Sequence, residues 1–149
     1  MKADIITIGD EILIGHIIDT NSSWIGNYLE RNGIQVNQII SISDNKSQIK
    51  NILKFSLNNV DCVFMTGGLG PTKDDITKNA LCEFLNDKLV LNNYVLKNIE
   101  EYFYDRKRTV NSFTKLQAYV PSKCKVIRNK KGTAPGMWFE KRGKIIVSM

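Results

Sequence analysis

The chain's 149 residues, 42% apolar and 24% charged, suit one soluble globular domain with a sizeable core. No apolar run approaches the roughly 18 residues of a membrane span, and Met1-Lys2-Ala3-Asp4 leads straight into a strand, which excludes a signal peptide and gives a cytoplasmic expectation. The net charge of +6 is spread over scattered basic residues, densest at 106–108 and 123–131. Solvated surface is the first reading of that charge and attraction for a small anionic ligand the second; nucleic-acid binding ranks third, for want of an aromatic-interleaved basic motif. Cys62, Cys82 and Cys124 form no Cys-x-x-Cys pair and read as reduced thiols. With His16 as the single histidine, a histidine-rich metal site is excluded.

Strand and helix signals alternate from the start. Residues 3–9 read as a buried strand, and Asp19-Thr20-Asn21-Ser22 caps a helix with Trp24, Ile25, Tyr28 and Leu29 on one face, ended by Gly33. Residues 34–42 form the next strand. Asn45-Lys46-Ser47-Gln48 matches a capping box for a helix that turns Ile49, Ile52, Leu53 and Leu57 inward. Residues 60–65 are a third apolar strand, followed by helical spacing at Ile76, Ala80, Leu81, Phe84 and Leu85. Further on, residues 92–108 read as a helix striped by Val95, Ile99, Tyr102 and Phe103, and 113–119 as a short helix stopped by Pro121. Strands at 125–127, 137–140 and 144–147 follow, the last two a hairpin through Lys141-Arg142-Gly143. Such alternation predicts a single α/β domain over residues 1–149, a parallel sheet with helices on both faces. The chain stops directly after an apolar strand, so a loop belonging to the crevice at the strand ends is expected to be missing.

The stretch from Met65 to Asp75 carries the most chemistry. Gly67, Gly68 and Gly70 permit positive φ and close approach of a ligand, Thr66 precedes them, and Thr72 suits the N-cap of the following helix. A helix N-terminus offers free N–H groups to an anion. Asp74 and Asp75 are favoured there by the helix dipole with or without a chemical role. The spacing matches neither the Walker loop nor Gly-x-Gly-x-x-Gly, so a nucleotide must be held differently.

Other segments fall at the same strand ends: Gly9-Asp10-Glu11, Thr20-Asn21, Asp44-Asn45, and the run Gly132-Thr133-Ala134-Pro135-Gly136. Carboxylates at Asp10, Glu11, Asp44, Asp74 and Asp75 can converge on a hard divalent cation, Mg²⁺, Mn²⁺ or Co²⁺, which shares its oxygen ligands with substrate phosphates. The plain alternative for each acid is a cap or turn residue.

These segments, in order and over nearly the whole chain, closely resemble the amino-terminal domain of the CinA (competence/damage-inducible) family of bacteria, a relative of the molybdopterin-binding proteins of the MogA, MoaB and MoeA type. The resemblance implies a three-layer α/β/α fold with a mostly parallel central sheet, and a homo-oligomer, dimer or trimer. It implies that Asp75 matches an essential aspartate of the MogA-like relatives and Asp44 a second one, while Asp74 stands where those relatives often carry a basic residue. The implied activity is metal-dependent hydrolysis of ADP-ribose to AMP and ribose 5-phosphate, an ADP-ribose pyrophosphatase. Asp75 and Asp44 are then the catalytic pair; Thr66, Gly67, Gly68, Gly70, Thr72, Asn21 and Gly136 hold the ligand; Asp10, Glu11 and Asp74 serve the metal. The competing reading is a non-catalytic module for molybdopterin or a similar pterin phosphate.

Overall fold

The structure, a computed structural model, describes residues 1–70 and 76–149. In chain order the elements are β1 (Lys2–Ile8), a single turn α1 (Asp10–Leu13), α2 (Thr20–Arg31), β2 (Gln35–Ile42), α3 (Lys46–Asn59), β3 (Cys62–Thr66) and α4 (Thr77–Leu85). They continue through β4 (Leu89–Leu91), α5 (Asn93–Tyr104), α6 (Ser112–Lys115), a 3-10 turn (Leu116–Ala118), β5 (Tyr119–Pro121), β6 (Lys125–Ile127), β7 (Gly136–Lys141) and β8 (Lys144–Ser148).

Six strands form one sheet in the order β2-β1-β3-β8-β7-β6. The first four are mutually parallel, and β7 runs antiparallel to both neighbours. The two-residue pleat divides the core: Ala3 and Ile5 face Ile25 and Leu29 of α2, while Ile6, Ile8, Val63 and Met65 face Ile49 and Leu53 of α3 and Leu81 of α4. Helices thus cover both faces, as the alternation predicts. Among the described residues no helix is long and apolar enough to cross a membrane.

Asp4 is wholly buried in β1. The β1–β2 register shifts beside it, and Asn37 Nδ2 and Gln38 Nε2 donate to its two carboxylate oxygens at 2.8 and 2.9 Å. That answers the burial penalty.

Three sequence expectations are corrected. Trp24 and Tyr28 lie outside the inner face of α2, which is built from Ser22, Ile25 and Leu29; the two rings are 64% and 56% exposed and stack on each other at 5.2 Å. The helix expected over 92–108 ends at Tyr104, where Arg106 and Arg108 N–H groups bond back to Phe103 O through Lys107 at φ 53°. The helix expected over 113–119 is α6 plus the 3-10 turn, because Tyr119 pairs with Leu91 in the small β4–β5 sheet, which the periodicity did not reveal.

Candidate functional site

Four segments meet at the carboxyl ends of β1, β2 and β3, where an open α/β sheet offers its crevice. The first turn of α2 is fixed by Asp19, whose carboxylate accepts from Ser22 N at 2.9 Å and from the Thr7 hydroxyl at 2.6 Å. Burial alone would raise the Asp19 carboxyl, but the bonds from Ser22, Thr7 and Asn21 hold it below the ordinary range. This cap sets Asn21 beside β3, its Nδ2 3.4 Å from Thr66 Oγ1. Asn21, Trp24, Ile25, Thr66 and Met149 line a cavity of about 200 Å³.

After β1, Gly9 N donates to Ile42 O at 3.1 Å and ties the turn to β2. The Glu11 carboxylate folds back over Gly9, where a β-carbon would sit 2.6 Å from Oε1, so a side chain at position 9 would displace it. Asp10 N donates to Asp44 Oδ2 at 3.2 Å, joining the first and second strand ends.

The glycine loop leaves β3 with Gly67 at φ 104° and Gly68 at φ 62°. A β-carbon on Gly67 would collide with the Ile8 carbonyl, and one on Gly68 with Thr77 Oγ1 while lying 3.4 Å from Asp44 Oδ1. Only glycine suits both conformations and both gaps. Thr77 closes the loop: its hydroxyl donates to Gly67 O at 3.1 Å and its N–H to Gly68 O at 3.3 Å. The neighbouring Lys78 is buried, and its ammonium donates to the carbonyls of Gln117 and Tyr119 at 3.0 and 3.2 Å, tying α4 to the irregular half.

Of the expected site residues, Gly9–Glu11, Asn21, Asp44 and Thr66–Gly68 are thus brought together. Gly70 is half-buried further along the loop. Gly136 opens β7, packed between Ile127 and the Ser148 carbonyl, with β8 between it and β3. Thr72, Asp74 and Asp75 lie outside the described residues. The helix expected to be capped by Thr72 begins only at Thr77, with Ile76 at its N-cap position and no acid in its first turn, so neither Thr72 as cap nor the two aspartates as first-turn residues holds. Thr77 and Lys78 were not singled out from sequence; the following helix start was the only signal for them. Among the described residues no three His, Cys, Asp or Glu side chains group to hold a metal. His16 and the three thiols take no part, and burial, the largest cause, raises the pKa of each cysteine, Cys124 to about 11. A larger concavity of about 590 Å³ lies between α2 and β2. Its lining includes Gly33, Ile34 and Gln35 at the start of β2, the end opposite the glycine loop, and Glu30 is its one ionisable group.

Fold and site together define an α/β domain with a glycine-built, carboxylate-flanked loop at the ends of its parallel strands. The comparisons bear on the fold and the family. Residues 4–149 match the family model described as "Probable molybdopterin binding domain". A CinA-like protein of Flavobacterium psychrophilum is 54% identical over 100% of this chain and 36% of its own length. The crystal structure of CinA from Thermoplasma acidophilum, described as of unknown function, superposes with TM-score 0.89 at 31% identity, covering 100% of this chain and 88% of that one. The molybdopterin biosynthesis enzyme MoaB of Thermus thermophilus shares the fold, with TM-score 0.65 at 17% identity over 99% and 79% of the two chains. The chain belongs to the molybdopterin-binding-domain family, in its CinA-like group. It spans about a third of the length of the curated relatives it matches.

Proposed function

We propose that this domain binds a nucleotide diphosphate at the Gly67–Gly68 loop and hydrolyses it with a divalent metal, ADP-ribose going to AMP and ribose 5-phosphate. The observation that carries the reading is the loop itself: two positive-φ glycines pressed against the end of β1 with the Asp44 carboxylate beside Gly68. Successive backbone N–H groups in such a turn favour phosphate. The identity of the diphosphate comes from the resemblance to CinA-type domains.

The carboxylates available are hard oxygen donors, which fits Mg²⁺, Mn²⁺ or Co²⁺. Mg²⁺ commonly uses only one or two protein carboxylates, the remainder being water and substrate phosphate, so the lack of a three-carboxylate cage among the described residues does not count against it. Such an ion, when bound, neutralises diphosphate charge and acidifies water. In this reading Asp44 and Asp75 position the ion and the attacking water, and Asp10, Glu11 and Asp74 complete the acidic rim. Thr66 and Asn21, 3.4 Å apart, orient the ligand at the α2 side.

The test is incubation with ADP-ribose and each of the three metals, following AMP. Lost turnover with retained binding in Asp75→Asn assigns that residue to chemistry. No turnover with any metal, in a protein of the relatives' full length, overturns the reading. The second reading, a pterin-phosphate module without catalysis, draws on the family description. Calorimetry with molybdopterin and ADP-ribose separates the two: tight pterin binding with no ADP-ribose binding reverses the ranking.

A further inference from the structure

The charge of this molecule is unevenly placed. Residues 97–131 hold ten Lys and Arg against three Asp and Glu, so this segment alone exceeds the net +6 of the whole chain and the remainder is slightly acidic. The two basic clusters, twenty residues apart in sequence, meet in space. Arg106 shares one concavity of about 170 Å³ with Arg128 and Lys130, and an adjoining one of about 370 Å³ with Arg108. Tyr102 lines both, and its hydroxyl donates to Lys131 O at 3.3 Å.

Aromatic rings accompany the charge. The Arg106 guanidinium lies over the Tyr102 ring at 3.6 Å, Phe103 meets Tyr102 edge-on at 5.9 Å, and Tyr104 is 84% exposed at the end of α5. The acids facing the patch are Glu101, paired with Arg128 at 3.1 Å, and Asp105. Against the six cations Arg106, Lys107, Arg108, Arg128, Lys130 and Lys131 these two acids leave a net charge of +4. β6 leads into this patch at Arg128, and because β6 runs parallel to β3 the patch lies at the same end of the sheet as the glycine loop, three strands away, roughly 14 Å by strand spacing.

We infer that this face binds single-stranded nucleic acid, the basic side chains tracking phosphates, the exposed Tyr104 offering a stacking surface for a base and the half-buried Tyr102 holding the Arg106 guanidinium in place. Small anions are met by charge alone, and an acidic protein has no need of the rings. A strand needs both, with little sequence preference. The sequence argument against such a partner was the lack of aromatics among the basic residues, and the fold supplies them by setting Tyr102 between the two clusters.

The experiment is fluorescence anisotropy of a labelled 20-mer of deoxythymidine with the full chain. Binding is expected at 50 mM salt and about tenfold weaker at 150 mM, as three neutralised phosphates require at a slope of about −0.7 each. Arg106→Gln with Arg128→Gln, and separately Lys107→Gln with Lys130→Gln, should each weaken binding several-fold and flatten the salt slope by roughly 1. Tyr104→Ala should weaken it about fivefold or more by lost stacking. Hydrolysis of ADP-ribose should be unchanged in all of these variants, so this inference and the proposed activity fail separately. The inference is overturned by absent binding at 50 mM salt. It is also overturned if Tyr104→Ala binds normally while heparin competes as well as the oligonucleotide, or if Lys46→Gln with Lys50→Gln on α3 weakens binding as much as the patch variants do.

Discussion

Gly67→Ala tests the construction of the loop more directly than any change to a charged residue. Position 67 has φ 104°, which an L-residue adopts at a cost of about 1–3 kcal/mol. The added methyl would also strike the Ile8 carbonyl, backbone of the central strand β1 that cannot turn aside as a flexible side chain does. Overpacking of that kind costs about 1–3 kcal/mol more. The sum, roughly 2–6 kcal/mol, corresponds to a Tm lower by roughly 4–24 °C for a domain of this size. Gly143→Ala is the internal control: Gly143 has φ 74° in the β7–β8 hairpin, with nothing within 4 Å of a β-carbon, so only the left-handed cost of about 1–2 kcal/mol applies. Thermal and urea unfolding of both variants, with phosphate-ligand binding followed by calorimetry, gives the comparison. If Gly67→Ala is no less stable than Gly143→Ala, the close approach of loop to strand is refuted, and with it the argument that glycine is required there for shape.

Asp44→Asn keeps an acceptor for Asp10 N while removing the charge, so the fold should hold within a few degrees in Tm while AMP release falls about 100-fold. Asp19→Ala removes the cap of α2 and the acceptor of the Thr7 hydroxyl, and should cost about 1–2 kcal/mol at pH 7. Because the folded Asp19 carboxyl is depressed, its contribution is complete above the ordinary value of about 4 and is lost as pH falls through the lower folded value; the gap between wild type and variant should therefore narrow below pH 4 in urea titrations. Glu83 bridges Lys50 and Lys46 at 2.7 and 3.0 Å, and those bonds hold its carboxyl at about 2. Glu83→Gln should flatten the acid side of the stability curve between about pH 4.5 and 2, and 1 M salt should do the same to wild type, since the group is exposed. Burial raises all three thiols, so Cys62, Cys82 and Cys124 should react slowly with a thiol reagent at pH 8 and rapidly once urea unfolds the chain.

Much of this architecture is local. The near-continuous apolar runs of β1 and β3, the oxygen caps at Asp19 and Asn45, the stop at Gly33 and the β7–β8 hairpin depend on neighbours within a few residues, and are readable in order from the chain. Even here the stripe of α2 was misjudged by one position, since which arc of a helix meets the sheet depends on the other elements packed there. The β4–β5 pair escaped notice because three-residue strands have too few positions for a period to emerge. In the site, the positions of Gly67, Gly68, Asp10, Glu11 and Asp44 at strand ends are legible in the chain, because parallel topology puts every such end on one side. What they touch depends on the packing. The Asp10 N–H meets Asp44 thirty-four residues on, Thr77 closes the loop from across it, and Lys78 reaches carbonyls about forty residues away. The two basic clusters join around Tyr102. Such meetings depend on how elements pack against one another at distances that local propensity does not reach.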